Sequence, residues 1–378
     1  SRDLNWNEGV IEMVMENAIT ESSDAYQWIM FDGPVDAVWI ESMNTVLDDN
    51  KKLCLSSGKV LILTNRMTMM FEVEDLKVAS PATVSRCGMV FMDQNCLNPL
   101  SYLRNYLHGL PEALNASTDF KEELLRLTEQ SLLAVYKKVD KREMIMEVNW
   151  PTIRGGFCAI VDAVLKELDT ESIKDALLGL RKNLKDLVLF AAYWSLGCLG
   201  ESEFRERVMS QLSAALKTEH LGNIADRRLN SKNMEWVSWS TLLDNQASQS
   251  QSGEEIVVPT PEFIRNLGMN LMLLSNKKPV LNPGSVGSGK TLLMNQIFSK
   301  YLSKDFNTAS YSLSARTTPQ QLSDFIFSQI DKRRKGVFGP PNLRKCVVHL
   351  DDVNMPMKEV WGAQPSIEIL RQLLDQKA

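Results

Sequence analysis

Three glycines, a lysine and a threonine share one short run: Gly284, Ser285, Val286, Gly287, Ser288, Gly289, Lys290 and Thr291. The spacing G-x-x-x-x-G-K-[ST] is that of a loop that wraps phosphate. Glycines let backbone N–H groups converge on phosphate oxygens with no Cβ in the way. The run TLLMNQIFSKYL that follows reads as a helix, whose positive N-terminal end faces the same anion. Lys290 can reach terminal phosphates, and the Thr291 hydroxyl can ligate magnesium. ATP with Mg2+ is the expected ligand.

Further along, the apolar run CVVHL ends on Asp351 and Asp352. A carboxylate at the end of such a strand holds the magnesium water shell, which makes Asp351 a metal residue beside Thr291. Asp352 stands where ATPases of this kind carry the glutamate that polarises the attacking water, one methylene longer. His349 interrupts the apolar strand and reads as structural. A similar junction occurs in QWIMFDGPVD, where Asp32 ends the strand and Gly33 follows. Glycine has no side chain to orient water, so a nucleotide at Asp32 is expected to be held without cleavage. Taken alone, Asp32 is either a metal-site residue or an ordinary carboxylate. In SPATVSRCGMVF, Ser80 and Pro81 can start a helical turn, and Arg86 emerges before an apolar strand. In ring ATPases an arginine so placed can reach a neighbour's γ-phosphate; the alternative is a surface ion pair.

These side chains need a scaffold. QWIMF and GMVFM read as strands, with AVWIESMNTVLDDN between them helical through Val38, Met43, Val46 and Leu47. Such alternation predicts a parallel α/β sheet. From Leu97 to about Leu229 the strand signal disappears. FKEELLRLTEQSLLAVYKKV sets Leu124, Leu125, Leu132, Val135 and Tyr136 on one face, and PTIRGGFCAIVDAVLKEL opens with a first-turn proline. ESIKDALLGLRKNLKDLVLFAAYWSLGCLG reads as one long helix ending at glycine, so a helical bundle is expected. MEWVSWSTLL suggests a strand or hairpin, and DNQASQSQSGEE a linker. A second α/β pattern follows: strand EEIVVP, helix PEFIRNLGMNLMLLSN, strand KPVLN, then the glycine loop.

Composition narrows the function classes. With 44% hydrophobic and 24% charged residues, the 378-residue chain is globular and long enough for two or three domains. A net charge of −5 gives no reason to expect nucleic acid or an anionic membrane as partner. The longest uncharged apolar run, Leu187 to Gly200, has 14 residues against the ~20 a bilayer needs, and reads as a buried helix. Six cysteines without a CxxC pair, and three histidines, argue against zinc or a disulfide framework and for a reducing compartment. Asn115 formally matches a glycosylation acceptor, but no secretory signal accompanies it. The start at Ser1 and the stop at Ala378 inside a helical pattern read as a piece of a longer chain.

FDGPVDAVWIESMNTVLDDNKKLCL and SPATVSRCG resemble the second AAA+ module of dynein heavy chains, whose motor is a hexameric ring. RTTPQQLSDFIFSQIDKRRKGVFGPP and LDDVNMPMKEVWGAQPSIEILRQLLD resemble the third module, in the ciliary (axonemal) rather than the cytoplasmic form. The resemblance implies P-loop NTPase (AAA+) parallel-sheet subdomains with an intervening all-α lid. Residues 1–95 would be the C-terminal part of the second module's large subdomain. Residues 96–250 would be its helical lid plus linker, and 251–378 the start of the third module with P-loop and Walker B strand. It further implies an ATP-driven, minus-end-directed microtubule motor of the axoneme, using ATP and Mg2+. Implied partners are neighbouring AAA+ modules, dynein intermediate and light chains, and microtubules through a stalk outside these residues, with no nucleic acid and no membrane. Asp32 becomes a nucleotide-site residue and Arg86 a finger reaching the preceding module's ATP. Two departures stand out: Asn282 and Pro283 precede the first glycine, and His349 replaces an apolar residue. The competing expectation is a nucleotide-regulated ring scaffold or remodelling ATPase without motor output, which would lack the heptads of a stalk.

Overall fold

The computed structural model describes residues 8–376, apart from 34, 36, 94–97, 111–117, 147, 167–182, 219–223, 231–234, 242–257, 303–305, 336 and 361. In chain order the first elements are α1 (Val10–Thr20), β1 (Gln27–Asp32), α2 (Ala37–Ser42), α3 (Asn44–Leu47), β2 (Lys52–Cys54), β3 (Val60–Ile62), β4 (Met67–Glu72) and α4 (Pro81–Arg86). Helices α5 (Ser101–His108), α6 (Thr118–Thr128), α7 (Trp150–Lys166), α8 (Leu184–Leu196) and α9 (Ser202–Leu216) follow. Then come β5 (Arg227–Leu229), β6 (Trp236–Ser238), α10 (Pro261–Ser275), α11 (Lys290–Gln296) and β7 (Phe306–Ser312). The last are α12 (Pro319–Ser328), β8 (Asp331–Arg334), β9 (Val337–Gly339), β10 (Lys345–Asp351) and α13 (Pro365–Gln376).

The chain divides into two compact units. A mixed unit holds Ser1–Met92, Ser310–Pro341 and Leu350–Ala378; a helical unit holds Asp93–Ala309 and Asn342–His349.

In the mixed unit β1 and β4 pair in parallel, from Gln27 opposite Met67 to Asp32 opposite Glu72. The parallel type is the expected one, although the partner is β4 and not GMVFM, and the two-residue pleat fixes which side chains turn inward. Ile29, Phe31 and Met69 pack on a core of Met15, Met43, Val46, Leu53, Leu61, Leu63 and Met67. The Phe31 ring stacks on Phe71 and on Trp39, with centroids 5.1 and 5.7 Å apart. The same parity puts Asp32 on the exposed face with Trp28 and Met30. The helical stretch after β1 is interrupted at Met43, giving α2 and α3 rather than one helix.

In the helical unit α8 is the central helix. Leu187, Val188, Leu189, Phe190, Ala191 and Ala192 are all 0% exposed, so its uncharged run is apolar all round because it is covered all round. Around it pack Phe120, Leu124 and Leu132 from α6 and its continuation, Phe157 and Val161 from α7, and Val208 and Leu212 from α9. After α6 the helix widens into a π-turn, Glu129–Leu133. The buried hydroxyls of Thr128 and Ser131 there donate back to the carbonyls of Leu124 and Leu127, at 2.7 and 2.6 Å. β6 is the strand expected in MEWVSWSTLL, but it pairs antiparallel with β5, which lies in the stretch read as free of strands; no helix among the described residues is long and apolar enough to cross a membrane.

Two expected strands are absent. GMVFM has no regular structure, and Val90, Phe91 and Met92 are 81%, 89% and 83% exposed. KPVLN also runs without a partner strand, with Leu281 66% exposed. An apolar extended run becomes a strand only when another segment accepts its backbone bonds, and none among the described residues does. Of EEIVVP, Val258 and Pro259 are irregular and the rest lies outside the described residues. So do the linker, Asn115 and residues 171–182 of the segment expected to be one long helix, of which α8 is the described part.

Candidate functional site

The glycine loop belongs to the helical unit. Helix α10 starts cleanly, with Thr260 capping the Phe263 N–H at 3.2 Å and Pro261 in the first turn. Its Leu267 packs on Leu293 and Met294 of α11 and on Ile297. That contact anchors α11, and the loop ends where α11 begins.

The loop is shaped by its glycines. Gly287 and Gly289 both have φ of +79°, a left-handed conformation that a side chain would strain. A Cβ on Gly284 would come 2.9 Å from the Ser288 hydroxyl. Ser288 donates to the Ser285 carbonyl at 2.8 Å. Lys290 curls back into this concavity, its Nζ donating to the carbonyls of Gly284 and Ser285 at 2.8 Å each. Uncharged carbonyls thus hold an ammonium that an anion would hold more strongly. Thr291 stands exposed in the first turn of α11, and Val286 is fully exposed at the loop tip. The cradle, its lysine and its adjacent hydroxyl fit a nucleoside triphosphate with a divalent cation. A groove of about 870 Å³ opens on the loop, lined also by Phe263, Trp194 and Arg205, within the size range of small-molecule sites.

Asn282, in the departure before the first glycine, is held by a partner that sequence reasoning missed. Asn282 and Asn270 exchange two side-chain bonds, at 2.9 and 3.2 Å. Asn270 is 3% exposed on an otherwise apolar stretch of α10, and that polar interruption was the available signal. Just upstream, Lys278 donates to Asp162 of α7 at 2.6 Å, and Asp162 also accepts from the Tyr106 hydroxyl at 2.5 Å. Burial first, and the Asp162 bond second, push the Tyr106 phenol well above its ordinary value. His349 meets the Phe298 ring edge-on, with centroids 5.8 Å apart.

The remaining expected site residues lie in the mixed unit. Asp351 closes β10, and its carbonyl accepts from the Leu313 N–H at 3.0 Å. One of its carboxylate oxygens accepts from the Asp352 N–H at 3.0 Å. Asp352 is exposed with φ of +55°, a left-handed conformation uncommon outside glycine, asparagine and aspartate. Arg86 ends α4, which Ser80 caps; it ion-pairs with Asp48 through Nε and donates to the Ala82 carbonyl at 2.9 Å. In this structure, then, the guanidinium has a surface carboxylate as partner. Asp32 is bonded by Arg371 of α13 at 3.1 Å, a second residue not singled out in the sequence. The structure therefore gathers Gly284 to Thr291 in one unit, and Asp32, Arg86, Asp351 and Asp352 in the other.

Two family models match the chain. One, described as the P-loop containing dynein motor region, covers residues 245–378; the other, the dynein heavy chain AAA lid domain, covers 124–241. The chain is 38% identical to dynein axonemal heavy chain 1 of Homo sapiens, over 98% of this chain and 9% of that protein. It is 34% identical to dynein axonemal heavy chain 12 of Rattus norvegicus, over 98% of this chain and 13% of that protein. With dynein axonemal heavy chain 3 of Mus musculus the identity is 33%, over 98% and 10%. The chain thus spans about a tenth of the length of these curated relatives.

Proposed function

The chain belongs to the dynein heavy chain family and has its AAA+ P-loop fold, and on that premise we propose that it is the part of an axonemal motor ring that binds ATP–Mg2+ at its third module. The observation that carries this reading is the loop from Gly284 to Thr291, with two left-handed glycines and Lys290 clasped by its carbonyls. Backbone N–H groups and Lys290 would hold the phosphates, Thr291 and Asp351 would be the residues to take the cation, and Asp352 the one to orient water. When bound, ATP–Mg2+ supplies the anhydride to be cleaved and the charge that neutralises it. Residues 1–95, the lid and linker of 96–250, and 251–378 then belong to consecutive modules of one ring. The second module holds nucleotide at Asp32 without cleaving it, because Gly33 cannot orient water. Arg86 reaches the preceding module's ATP.

In the intact heavy chain this assigns an ATPase that moves along microtubules towards their minus ends in the cilium or flagellum. Its partners there are the adjoining modules, intermediate and light chains, and the microtubule. The test is nucleotide titration of Lys290→Ala. Losing a charge-assisted contact of ~1.5–3 kcal/mol weakens ATP at this site roughly 10- to 150-fold. Unchanged affinity at the third module would refute the assignment.

A further inference from the structure

Asp32 is engaged by a residue 339 positions further along the chain, within the same compact unit. Nη2 of Arg371 donates to Asp32 at 3.1 Å and to Glu368 at 2.6 Å. Nε donates to both Glu368 oxygens at 2.9 and 3.0 Å, and Nη1 to Asp375 at 3.0 Å. Glu368 and Asp375 lie three and four residues from Arg371 on α13, so all three share one helix face. They keep the guanidinium in place with or without Asp32. Asp32 is the detachable member of the cluster.

The contact is built to be given up. The side chains of Arg371 and Asp32 are 45% and 52% exposed, so water and salt screen their attraction. A divalent cation carries twice the charge of a guanidinium and takes carboxylate oxygen directly. Three carboxylates share one arginine, and Glu72 stands opposite Asp32 in the β1–β4 register, so acidic groups outnumber the single cation there and the neighbourhood favours another.

We propose that Arg371 is a latch on Asp32: it holds this carboxylate while the Asp32 site lacks its cation, and cation binding there frees α13. The latch rests on the proposed reading of Asp32 as a nucleotide-site residue, taken here to meet the nucleotide's cation through its carboxylate. It makes α13, in the third module, sensitive to the loading of the second. By thermodynamic reciprocity, anything that presses α13 onto Asp32 weakens cation binding there.

The experiment uses the heavy chain containing this segment, with its other nucleotide sites disabled. Fluorescent ADP is titrated in EDTA and across a Mg2+ series for wild type, Arg371→Gln, Arg371→Lys and Asp32→Asn. Arg371→Gln should lower the Mg2+ concentration for half-maximal tightening about two- to fivefold, the scale of an exposed ion pair, and leave affinity in EDTA unchanged. Arg371→Lys, which keeps the charge, should fall between. Equal weakening of ADP with and without Mg2+ overturns the latch and makes Arg371 a nucleotide contact; no change in either makes it a surface ion pair. If Asp32→Asn leaves the Mg2+ dependence intact, the metal-site reading of Asp32 fails instead. Loss of that dependence in Asp32→Asn, with Arg371→Gln silent, removes the latch alone.

Discussion

Replacing Asp162 tests how the lid helix holds the start of the glycine loop. Its carboxylate takes the Lys278 ammonium at 2.6 Å and the Tyr106 hydroxyl at 2.5 Å, joining α7, α5 and the segment leading to Gly284. The Lys278 and Asp162 side chains are 25% and 20% exposed. Breaking a fully buried pair costs about 3–5 kcal/mol, and an exposed one contributes about 0–1, so this pair falls near ~2 kcal/mol. Tyr106 is left with only its long contact to the Cys158 carbonyl at 3.4 Å, which adds ~1 kcal/mol. Asp162→Ala should therefore destabilise the helical unit by ~3 kcal/mol. Asp162→Asn should cost ~1–2 kcal/mol, since its amide oxygen still accepts from Tyr106. The assay is urea unfolding followed by tryptophan fluorescence, in a double-mutant cycle with Lys278→Met. A coupling of ~1–2 kcal/mol is expected; additivity within ~0.3 kcal/mol would refute the argument. The phenol supplies a pH signature. Its folded value is raised, so the protonated form favours folding, and that contribution is present below the unfolded value of ~10 and lost as pH rises above it. Asp162→Ala should soften this alkaline loss without abolishing it, because burial is the larger cause.

Three further outcomes follow from the structure. Gly289→Ala meets no atom within 4 Å, so its cost is conformational, ~1–2 kcal/mol at a φ of +79°; nucleotide affinity should fall while circular dichroism stays unchanged, and retained affinity would mean the loop tolerates another shape. Burial pushes the Cys198 and Cys158 thiols up to about 11 and about 12, so at pH 8 iodoacetamide should label exposed Cys54 and spare both until urea is added, as mass spectrometry of the peptides would show. In the intact motor Arg86→Ala should cut ATP turnover at least about tenfold, the weak end of arginine-finger effects. Asp48→Asn, which removes only the ion pair, should leave turnover near wild type; equal effects of the two would reduce Arg86 to its surface contact.

What the sequence determined by itself is the set of features that neighbouring residues decide. The bend of the glycine loop follows from φ values open to Gly287 and Gly289, and helix starts follow from caps a few residues away. Thr260–Pro261, Ser80–Pro81 and Thr318–Pro319 all do what their types dictate. The stripe of Leu124, Leu132 and Val135 marked a buried face, because helical period alone decides which side chains share a side. Asp32 at the end of a parallel strand was legible too, because the apolar run stops there; that it shares an exposed face with Trp28 and Met30 was not.

Tertiary structure decided whatever needs a distant partner. GMVFM and KPVLN have the composition of strands, yet a strand exists only where another segment completes its backbone bonds, and composition does not say which segment arrives. The contacts that set up the candidate sites join Asn270 to Asn282, Asp162 to Lys278 and Asp32 to Arg371, across 12, 116 and 339 positions. Each is a polar pairing between common side chains, and although Asn270 interrupts an apolar stretch, no residue type or spacing names the partner of any of them. Only the chain's return to the same place, driven by burial of its apolar stripes, makes these groups neighbours.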